Sequence, residues 1–275
     1  MEILTAYVTS HIGALKLREV ELSNITTRYI EGGRGKPVIL LHGIGSNKAY
    51  FRSLMKDLSK EWRVIAPDVP GLYSESRFRS GKHNYRVLSQ WLDEFVTALG
   101  CEKITIVGNS LGCNLAAYHA YKFPEKVEKL CLLSMPETFT DKGDTIRTII
   151  EDIFVSLDSY ADIDRLMEAC FYRQPNLPFI IKKRIFSELK KHYSFLNQLI
   201  EELNENQIQL RARIPHIKTP TLLISGAEDP TCPIEFAHRL HDSMPNSELR
   251  ILSKSKHFTF LERHVLVKKL LLEFI

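Results

Sequence analysis

Short apolar runs alternate with longer amphipathic segments over the first half of the chain and again near its end. The short runs are rich in β-branched residues and leucine without polar alternation, which is typical of parallel strands covered on both faces. They span 38–41, 64–66, 104–107, 130–133 and 221–224. The longer segments repeat apolar residues every three to four positions, which predicts helices over 85–99, 111–122, 234–243 and 265–275. This alternation predicts an α/β fold with a mostly parallel central sheet flanked by helices.

Two more strands are predicted before this alternation begins, over 17–22 and 26–31. The second leads into Gly32-Gly33-Arg34-Gly35, which is typical of a hairpin loop. We therefore expect an antiparallel start to the sheet. A last strand is predicted around 248–252.

The stretch 137–214 breaks the alternation, because its periodicity is helical throughout and it contains no convincing strand. We interpret it as a helical insertion that divides a core of residues 1–136 and 215–275. The insertion carries a basic cluster, Lys182-Lys183-Arg184 with Lys190-Lys191. Such a cluster indicates either a solvated helix face or a surface that attracts an anionic substrate.

Composition narrows the class of protein. The 275 residues are 44% hydrophobic and 25% charged, which is ordinary for a globular chain, and the net charge of +4 is too small to indicate a nucleic-acid partner. The five cysteines are odd in number and contain no C-x-x-C pair, so we expect reduced core thiols. No apolar stretch approaches the ~18 residues of a membrane span, and the N-terminus lacks the basic start of a signal peptide. These features predict a cytoplasmic location without a membrane span.

Gly108-Asn109-Ser110-Leu111-Gly112 forms a G-x-S-x-G motif between a predicted strand and a predicted helix. In that context the two glycines permit a tight turn, which leaves the serine hydroxyl exposed at the carboxyl edge of the sheet. Ser110 is therefore the candidate nucleophile.

Two further residues are predicted to reach the same edge. Asp229 lies in the loop after strand 221–225, with Glu228 as the rival carboxylate. His257 lies in a polar loop 28 positions later, far enough for one helix and one strand. Ser110, Asp229 and His257 thus supply the nucleophile, acid and base of a catalytic triad.

The order serine, acid, histidine and the motif context resemble the α/β-hydrolase superfamily over nearly the whole chain. The segments 63–71 and 257–263 are similar to the family's strand-and-turn and histidine-loop segments. The resemblance implies an α/β-hydrolase fold in which the insertion is a lid, or cap. It also implies an oxyanion hole made by the backbone N–H groups of Ile44 and Leu111. His42, beside Ile44, is expected to be structural.

The chain departs from the family pattern at two positions. Tyr73 and Lys256 stand where family members often carry glycine. Neither position supplies catalytic atoms, but Lys256 is expected to add positive charge beside the pocket. His264 is a weaker alternative to His257 as the base.

The implied reaction is hydrolysis of a carboxylic ester, or a related acyl bond, of a small to medium apolar substrate through an acyl-enzyme. No cofactor or metal is expected. Aromatic residues of the insertion either line an acyl pocket or pack the lid onto the core; they are Phe154, Phe171, Tyr172, Phe179, Phe186, Tyr193 and Phe195.

The alternatives to ester hydrolysis are carbon–carbon hydrolysis of a vinylogous diketone, acyl transfer to an alcohol or thiol, and a receptor-like binding protein. The carbon–carbon hydrolases usually show a tryptophan soon after the histidine, where this chain has Phe258 and Phe260.

Overall fold

The computed structural model describes residues 14–72, 76–79, 81–136, 152–153, 156–204 and 207–275. In this part of the chain, eight strands form one sheet in the order β1-β2-β4-β3-β5-β6-β7-β8. The strands are β1 (Lys16–Glu21), β2 (Thr26–Gly32), β3 (Pro37–Leu41), β4 (Arg63–Pro67), β5 (Ile104–Asn109), β6 (Val127–Leu133), β7 (Thr221–Gly226) and β8 (Ser247–Leu252). Strands β1 and β2, and β2 and β4, pair antiparallel, and the other neighbours are parallel.

Ten α-helices accompany the sheet in the described ranges. They are α1 (Arg52–Leu58), α2 (Tyr85–Ala98), α3 (Leu111–Lys122), α4 (Tyr160–Cys170), α5 (Phe179–Lys191), α6 (Tyr193–Asn204), α7 (Gln207–Arg213), α8 (Ile234–Ser243), α9 (Thr259–Glu262) and α10 (His264–Phe274). Short 3-10 helices span Lys48–Phe51 and Ile214–His216. The predicted bounds of α3 and α8 are those observed, whereas α1 was not predicted.

The central strands are apolar throughout because both faces of the sheet are covered. In β3, Ile39 and Leu41 belong to the apolar cluster shared with α2, α3 and α8. Val38 and Leu40 point the other way, into the cluster shared with α1 and α10. Consecutive side chains of the strand thus pack into two separate apolar clusters, one on each face of the sheet. The absence of polar alternation predicts this arrangement. The predicted α/β fold class is confirmed.

The predicted hairpin at residues 32–35 is wrong. These residues connect β2 to β3, but β4 lies between those strands and pairs with both. Gly33 has φ +76°, and a Cβ there would lie 2.0 Å from the carbonyl oxygen of Trp62. The loop therefore passes tightly against the segment that enters β4, and the antiparallel start of the sheet comes from the β1–β2 hairpin.

Helices α4 to α7 lie between β6 and β7 in the chain, and the described residues of 137–214 contain no strand. Helix α4 packs against α5, whereas α7 packs against α3 of the sheet layer. The last short helix of this stretch therefore covers the sheet, while α4 begins the part that reaches the carboxyl edge. All five cysteines are buried and free of disulfide bonds.

Candidate active site

Ser110 lies on the turn between β5 and α3. Its φ of 56° and ψ of −131° place it in a left-handed conformation that non-glycine residues rarely adopt. Ser110 is the N-cap residue of α3, yet its side chain makes no capping hydrogen bond. It lines a cavity at the carboxyl edge of the sheet instead. The strained turn thus directs the hydroxyl away from the helix.

The two glycines of the motif are required by backbone contacts. A Cβ at Gly108 would lie 2.6 Å from the carbonyl oxygen of Gly112. A Cβ at Gly112 would lie 2.2 Å from the carbonyl oxygen of Leu41. Backbone atoms cannot yield as the end of a flexible side chain can, so the turn packs against β3 only with glycine at both positions.

Asp229 and His257 form a buried pair at the same edge. Asp229 follows β7, and its Oδ2 lies 3.0 Å from Nδ1 of His257 in the loop after β8. Burial acts to raise the pKa of Asp229, but His257 and the hydrogen bonds from His257 and Thr231 lower that pKa below its ordinary value. Asp229 is therefore ionised at neutral pH and available to orient the imidazole.

Thr231, which was not predicted from the sequence, contacts both members of the pair. Its backbone N–H and its hydroxyl lie 2.8 and 2.7 Å from Oδ1 of Asp229, and the hydroxyl lies 2.8 Å from Nδ1 of His257. The sequence contains one local indication of this contact: an aspartate commonly accepts a hydrogen bond from the backbone N–H two residues later, which is that of Thr231.

Glu228, the rival carboxylate, has a different position. Its two carboxylate oxygens accept hydrogen bonds from the backbone N–H groups of Lys254, at 3.2 Å, and Ser255, at 3.0 Å. These contacts hold the loop that carries His257. Glu228 thus binds the backbone of the loop, whereas Asp229 binds the imidazole of His257.

The turn after β3 contributes Ile44, which lines the cavity together with Ser110 and His257. Leu111 is the first residue of α3, where backbone N–H groups have no acceptor within the helix. His42 holds the turn: its Nε2 accepts from the Val69 N–H at 2.9 Å, and its Nδ1 lies 2.9 Å from the Gly43 carbonyl oxygen. Burial lowers the pKa of His42 to about 4, so its ring is neutral and both nitrogens bond the backbone.

The cavity has a volume of about 40 Å³. Its walls are mainly apolar and come from both parts of the chain: Gly43, Ile44, Gly45, Ser46, Tyr50, Asn109, Phe258, and from α4 Leu166, Met167 and Cys170. Burial raises the pKa of the Cys170 thiol, so Cys170 presents a neutral group. A group bound at Ser110 would thus contact mainly apolar walls, with a few polar groups such as Asn109 and His257 beside it.

The aromatic residues predicted as pocket candidates lie elsewhere. Phe171 packs on Phe258 with ring centroids 5.1 Å apart, and Phe195 packs edge-on to His83. Tyr172, Phe179, Phe186 and Tyr193 do not line the cavity, and Phe154 lies outside the described residues. The cavity therefore uses α4 rather than the aromatic side chains that the sequence singled out.

The basic cluster on α5 is also away from the cavity. Lys182 pairs with Asp164, and Lys190 pairs with Asp158 at 3.2 Å. None of the residues of the cluster lines the cavity. The solvated helix face, with local ion pairs, accounts for these charges.

Lys256 and His264 also have partners outside the cavity. The Lys256 ammonium donates to the carbonyl oxygen of Glu168 in α4, so its charge caps a helix end. His264 Nε2 lies 2.8 Å from Asp57 Oδ2, where α10 packs against α1. The other departure, Tyr73, lies outside the described residues.

Within the described ranges, no group of three or more histidine, cysteine, aspartate or glutamate side chains is placed to hold a metal ion. Of the helices described, none is long and apolar enough to cross a bilayer.

Residues 36–166 match the family model described as alpha/beta hydrolase fold. The chain has the α/β-hydrolase fold, and the resemblance to the α/β-hydrolase superfamily is confirmed. The chain is 28% identical over 262 residues to 2-hydroxymuconate semialdehyde hydrolase of Pseudomonas sp. strain CF600, covering 89% of this chain and 88% of that protein. It is 24% identical over 262 residues to human monoacylglycerol lipase ABHD6, covering 88% and 77%. A solved structure, the meta-cleavage product hydrolase CumD from Pseudomonas fluorescens IP01, matches with TM-score 0.81 and 25% identity over 94% of this chain and 96% of that chain.

Proposed function

We propose that the chain is a serine hydrolase that cleaves a carboxylic ester of a small to medium apolar substrate. One observation carries this proposal: Ser110 lines a cavity together with His257, whose Nδ1 lies 3.0 Å from Asp229 Oδ2. A nucleophile, a base and an orienting carboxylate are the groups that acyl transfer requires. The hydrolase names of the relatives support the class of reaction.

In the proposed reaction, Nε2 of His257 takes the hydroxyl proton of Ser110 as Oγ attacks the ester carbonyl carbon. Asp229 stabilises the imidazolium ion, and the backbone N–H groups of Ile44 and Leu111 stabilise the negative carbonyl oxygen. The intermediate collapses to an acyl-enzyme as His257 gives its proton to the leaving alcohol. A water molecule, deprotonated by the same nitrogen, then releases the acid and restores Ser110.

We propose that the stretch 137–214 acts as the lid of this site. The contact that supports the proposal is the wall that α4 contributes to the cavity, through Leu166, Met167 and Cys170. Since α7 packs on α3, we assign the covering role to the residues before α7.

The size of the cavity favours a short acyl group. About 40 Å³ is far below the roughly 300–1,000 Å³ of sites that bind drug-sized ligands. An acetyl or propionyl group suits this space better than a long fatty acyl chain, and the apolar walls disfavour a charged acyl group.

The decisive experiment compares the unmodified protein with Ser110→Ala on p-nitrophenyl esters from acetate to laurate. Ser53→Ala, on the exposed side of α1, is the matched control. We expect short esters to be cleaved fastest, Ser110→Ala to lose turnover by several orders of magnitude, and Ser53→Ala to retain it. Unchanged esterase activity in folded Ser110→Ala would refute the assignment of Ser110.

Carbon–carbon hydrolysis is the second candidate, favoured by the similarity to 2-hydroxymuconate semialdehyde hydrolase and CumD. A vinylogous diketone tested beside the esters distinguishes the two reactions by their relative kcat/KM. A fluorophosphonate probe separates both from a receptor-like protein. Ser110 labelled by the probe supports an enzyme, and an unlabelled Ser110 supports a binding protein.

A further inference from the structure

We propose that Thr231 is a positioning residue that fixes the tautomer and the orientation of His257. This inference rests on the proposed function, because it assigns a role beside the base of that reaction. Thr231 lies in the loop after β7, two positions beyond Asp229, and its side chain is buried with the pair. Its hydroxyl is within hydrogen-bond distance of both Asp229 Oδ1 and His257 Nδ1.

The single hydroxyl proton of Thr231 can serve only one of these two neighbours. Asp229 is ionised and offers only lone pairs, and its Oδ1 lies 2.7 Å from the threonine Oγ1. Two oxygen atoms at that distance with no proton between them repel each other. The hydroxyl therefore donates to Asp229 and presents a lone pair to the histidine.

It follows that both oxygens facing Nδ1 of His257 act as acceptors. They are Oδ2 of Asp229 at 3.0 Å and Oγ1 of Thr231 at 2.8 Å. The neutral ring must then carry its proton on Nδ1, where the two oxygens share it, and Nε2 keeps the lone pair that a general base needs. In the opposite tautomer, the lone pair of Nδ1 would face the lone pairs of both oxygens.

The same hydroxyl completes the environment of Asp229. Oδ1 accepts from the backbone N–H and the hydroxyl of Thr231, while Oδ2 faces His257. The carboxylate is thus held at both oxygens, so it cannot rotate away from the imidazole without breaking buried hydrogen bonds. Thr231 therefore links the acid and the base from one side.

The test replaces Thr231 by valine, which keeps the shape and removes the hydroxyl, and by serine, which keeps the hydroxyl. Thr221→Val is the matched control, because Thr221 is also buried and its hydroxyl donates to the Thr219 carbonyl oxygen at 2.8 Å in β7. Esterase kcat and KM are measured on the shortest active ester. The tautomer is read from the ¹⁵N chemical shifts of the His257 ring in the free protein.

We expect Thr231→Val to lower kcat by about 10- to 100-fold with KM nearly unchanged, because the variant loses one hydrogen bond to a charged group. Thr231→Ser should restore most of kcat, and Thr221→Val should leave it unchanged. The ring of the unmodified protein should be protonated on Nδ1, and Thr231→Val should show a mixture of tautomers. If valine does not fold at this position, Thr231→Ala serves the same purpose.

A folded Thr231→Val with unchanged kcat and the same ring shifts overturns the proposal. The ring shifts need no substrate, so they test the tautomer even if esters are not cleaved. Failure of the proposed function is recognised separately, because Ser110→Ala would then retain the activity of the unmodified protein. The two failures are therefore distinguishable.

Discussion

The backbone N–H of His257 donates a hydrogen bond to the carbonyl oxygen of Cys170, 3.1 Å away. Cys170 is the last residue of α4, so the position of the candidate base depends on a helix from the stretch 137–214. The Lys256 ammonium adds a second link, to the carbonyl oxygen of Glu168 in the same helix. Helix α4 and the loop carrying His257 therefore form one structural unit.

Glu262 strengthens this unit from the end of α9. Its carboxylate accepts from the backbone N–H groups of Lys256, Tyr172 and Arg173, at 2.8, 2.7 and 3.2 Å. We expect Glu262→Gln to lower kcat several-fold and Tm by a few degrees, because an uncharged amide accepts these hydrogen bonds more weakly. Kinetics and thermal unfolding measure both. The control is Glu273→Gln on α10, an exposed residue near Lys269, which should change neither; equal effects in the two variants would refute the linking role.

Replacing each of the two adjacent carboxylates, Asp229 and Glu228, by its amide should have clearly different effects on kcat. Asp229→Asn keeps the shape but favours the wrong imidazole tautomer, so we expect kcat to fall by about 10³- to 10⁴-fold. Glu228→Gln changes only the hydrogen bonds to the loop backbone, and we expect a loss below about tenfold. Steady-state kinetics of the two variants decide the assignment. A larger loss in Glu228→Gln than in Asp229→Asn would reverse it.

Gly43 lies against Ser110, the proposed nucleophile. A Cβ at Gly43 would lie 2.6 Å from Cβ and 3.1 Å from Oγ of Ser110. We expect Gly43→Ala to lower kcat by about 10- to 100-fold, because misplacing the attacking oxygen by about 1 Å can cost about 100-fold in rate. Gly100→Ala is the control: no atom lies within 4 Å of its added Cβ, and its φ of +69° makes the cost one of stability rather than activity. Equal activity in the two variants would show that Ser110 tolerates the displacement.

Leu166 sets the size of the cavity. Its side chain is buried in α4 and forms part of the wall opposite the core. We expect Leu166→Ala to shift the preferred ester to a longer acyl chain, at a stability cost of about 2–5 kcal/mol. The ester panel measures the shift. Leu203→Ala is the control, because it removes another buried leucine side chain, from α6, that does not line the cavity, and an identical shift there would point to general loosening.

Buried histidines make the fold sensitive to acid. Burial lowers the pKa of His119 to about 4, so it is neutral in the folded state, while in the unfolded chain it titrates near 6.5. Between these values the unfolded state binds more protons, and stability present above pH 6.5 is lost as pH falls towards 4. His42 acts in the same direction.

Urea unfolding at pH 7 and pH 5 tests this account. Between these two values His119 should contribute about 2 kcal/mol to the fall in the free energy of unfolding. His119→Gln should therefore reduce the fall by that amount, whereas exposed His216→Gln should leave it unchanged. An identical pH dependence in His119→Gln and the unmodified protein would contradict the buried neutral state.

Periodicity predicted the fold well where one local rule decides the structure. Helices α3 and α8 have the predicted bounds, and the motif around Ser110 lies on the predicted strand-to-helix turn, because close backbone contacts allow only glycine there. The hairpin at residues 32–35 failed because a glycine-rich loop does not specify which strand lies beside it. Strand order depends on long-range pairing, and here β4 lies between β2 and β3.

The surroundings of the candidate site were harder to predict. Phe171 and Leu166 both come from the stretch 137–214, and only the packed arrangement decides that Leu166 faces the cavity while Phe171 packs on Phe258. The position of Lys256 depended likewise on a carbonyl oxygen of α4. Composition ranks such side chains by size and charge, whereas the direction of each is set by tertiary contacts.

Strands β6 and β7 are parallel neighbours, with Leu130 opposite Thr221, although α4 to α7 lie between them in the described part of the chain. Helix α7 packs against α3 and leads the chain back towards the start of β7. For protein engineering, any exchange of the segment from α4 to α6 must preserve the carbonyl oxygens of Glu168 and Cys170, because they hold the loop that carries His257. A graft that meets this condition should change the side chains around Ser110 while β6, α7 and β7 keep their connection.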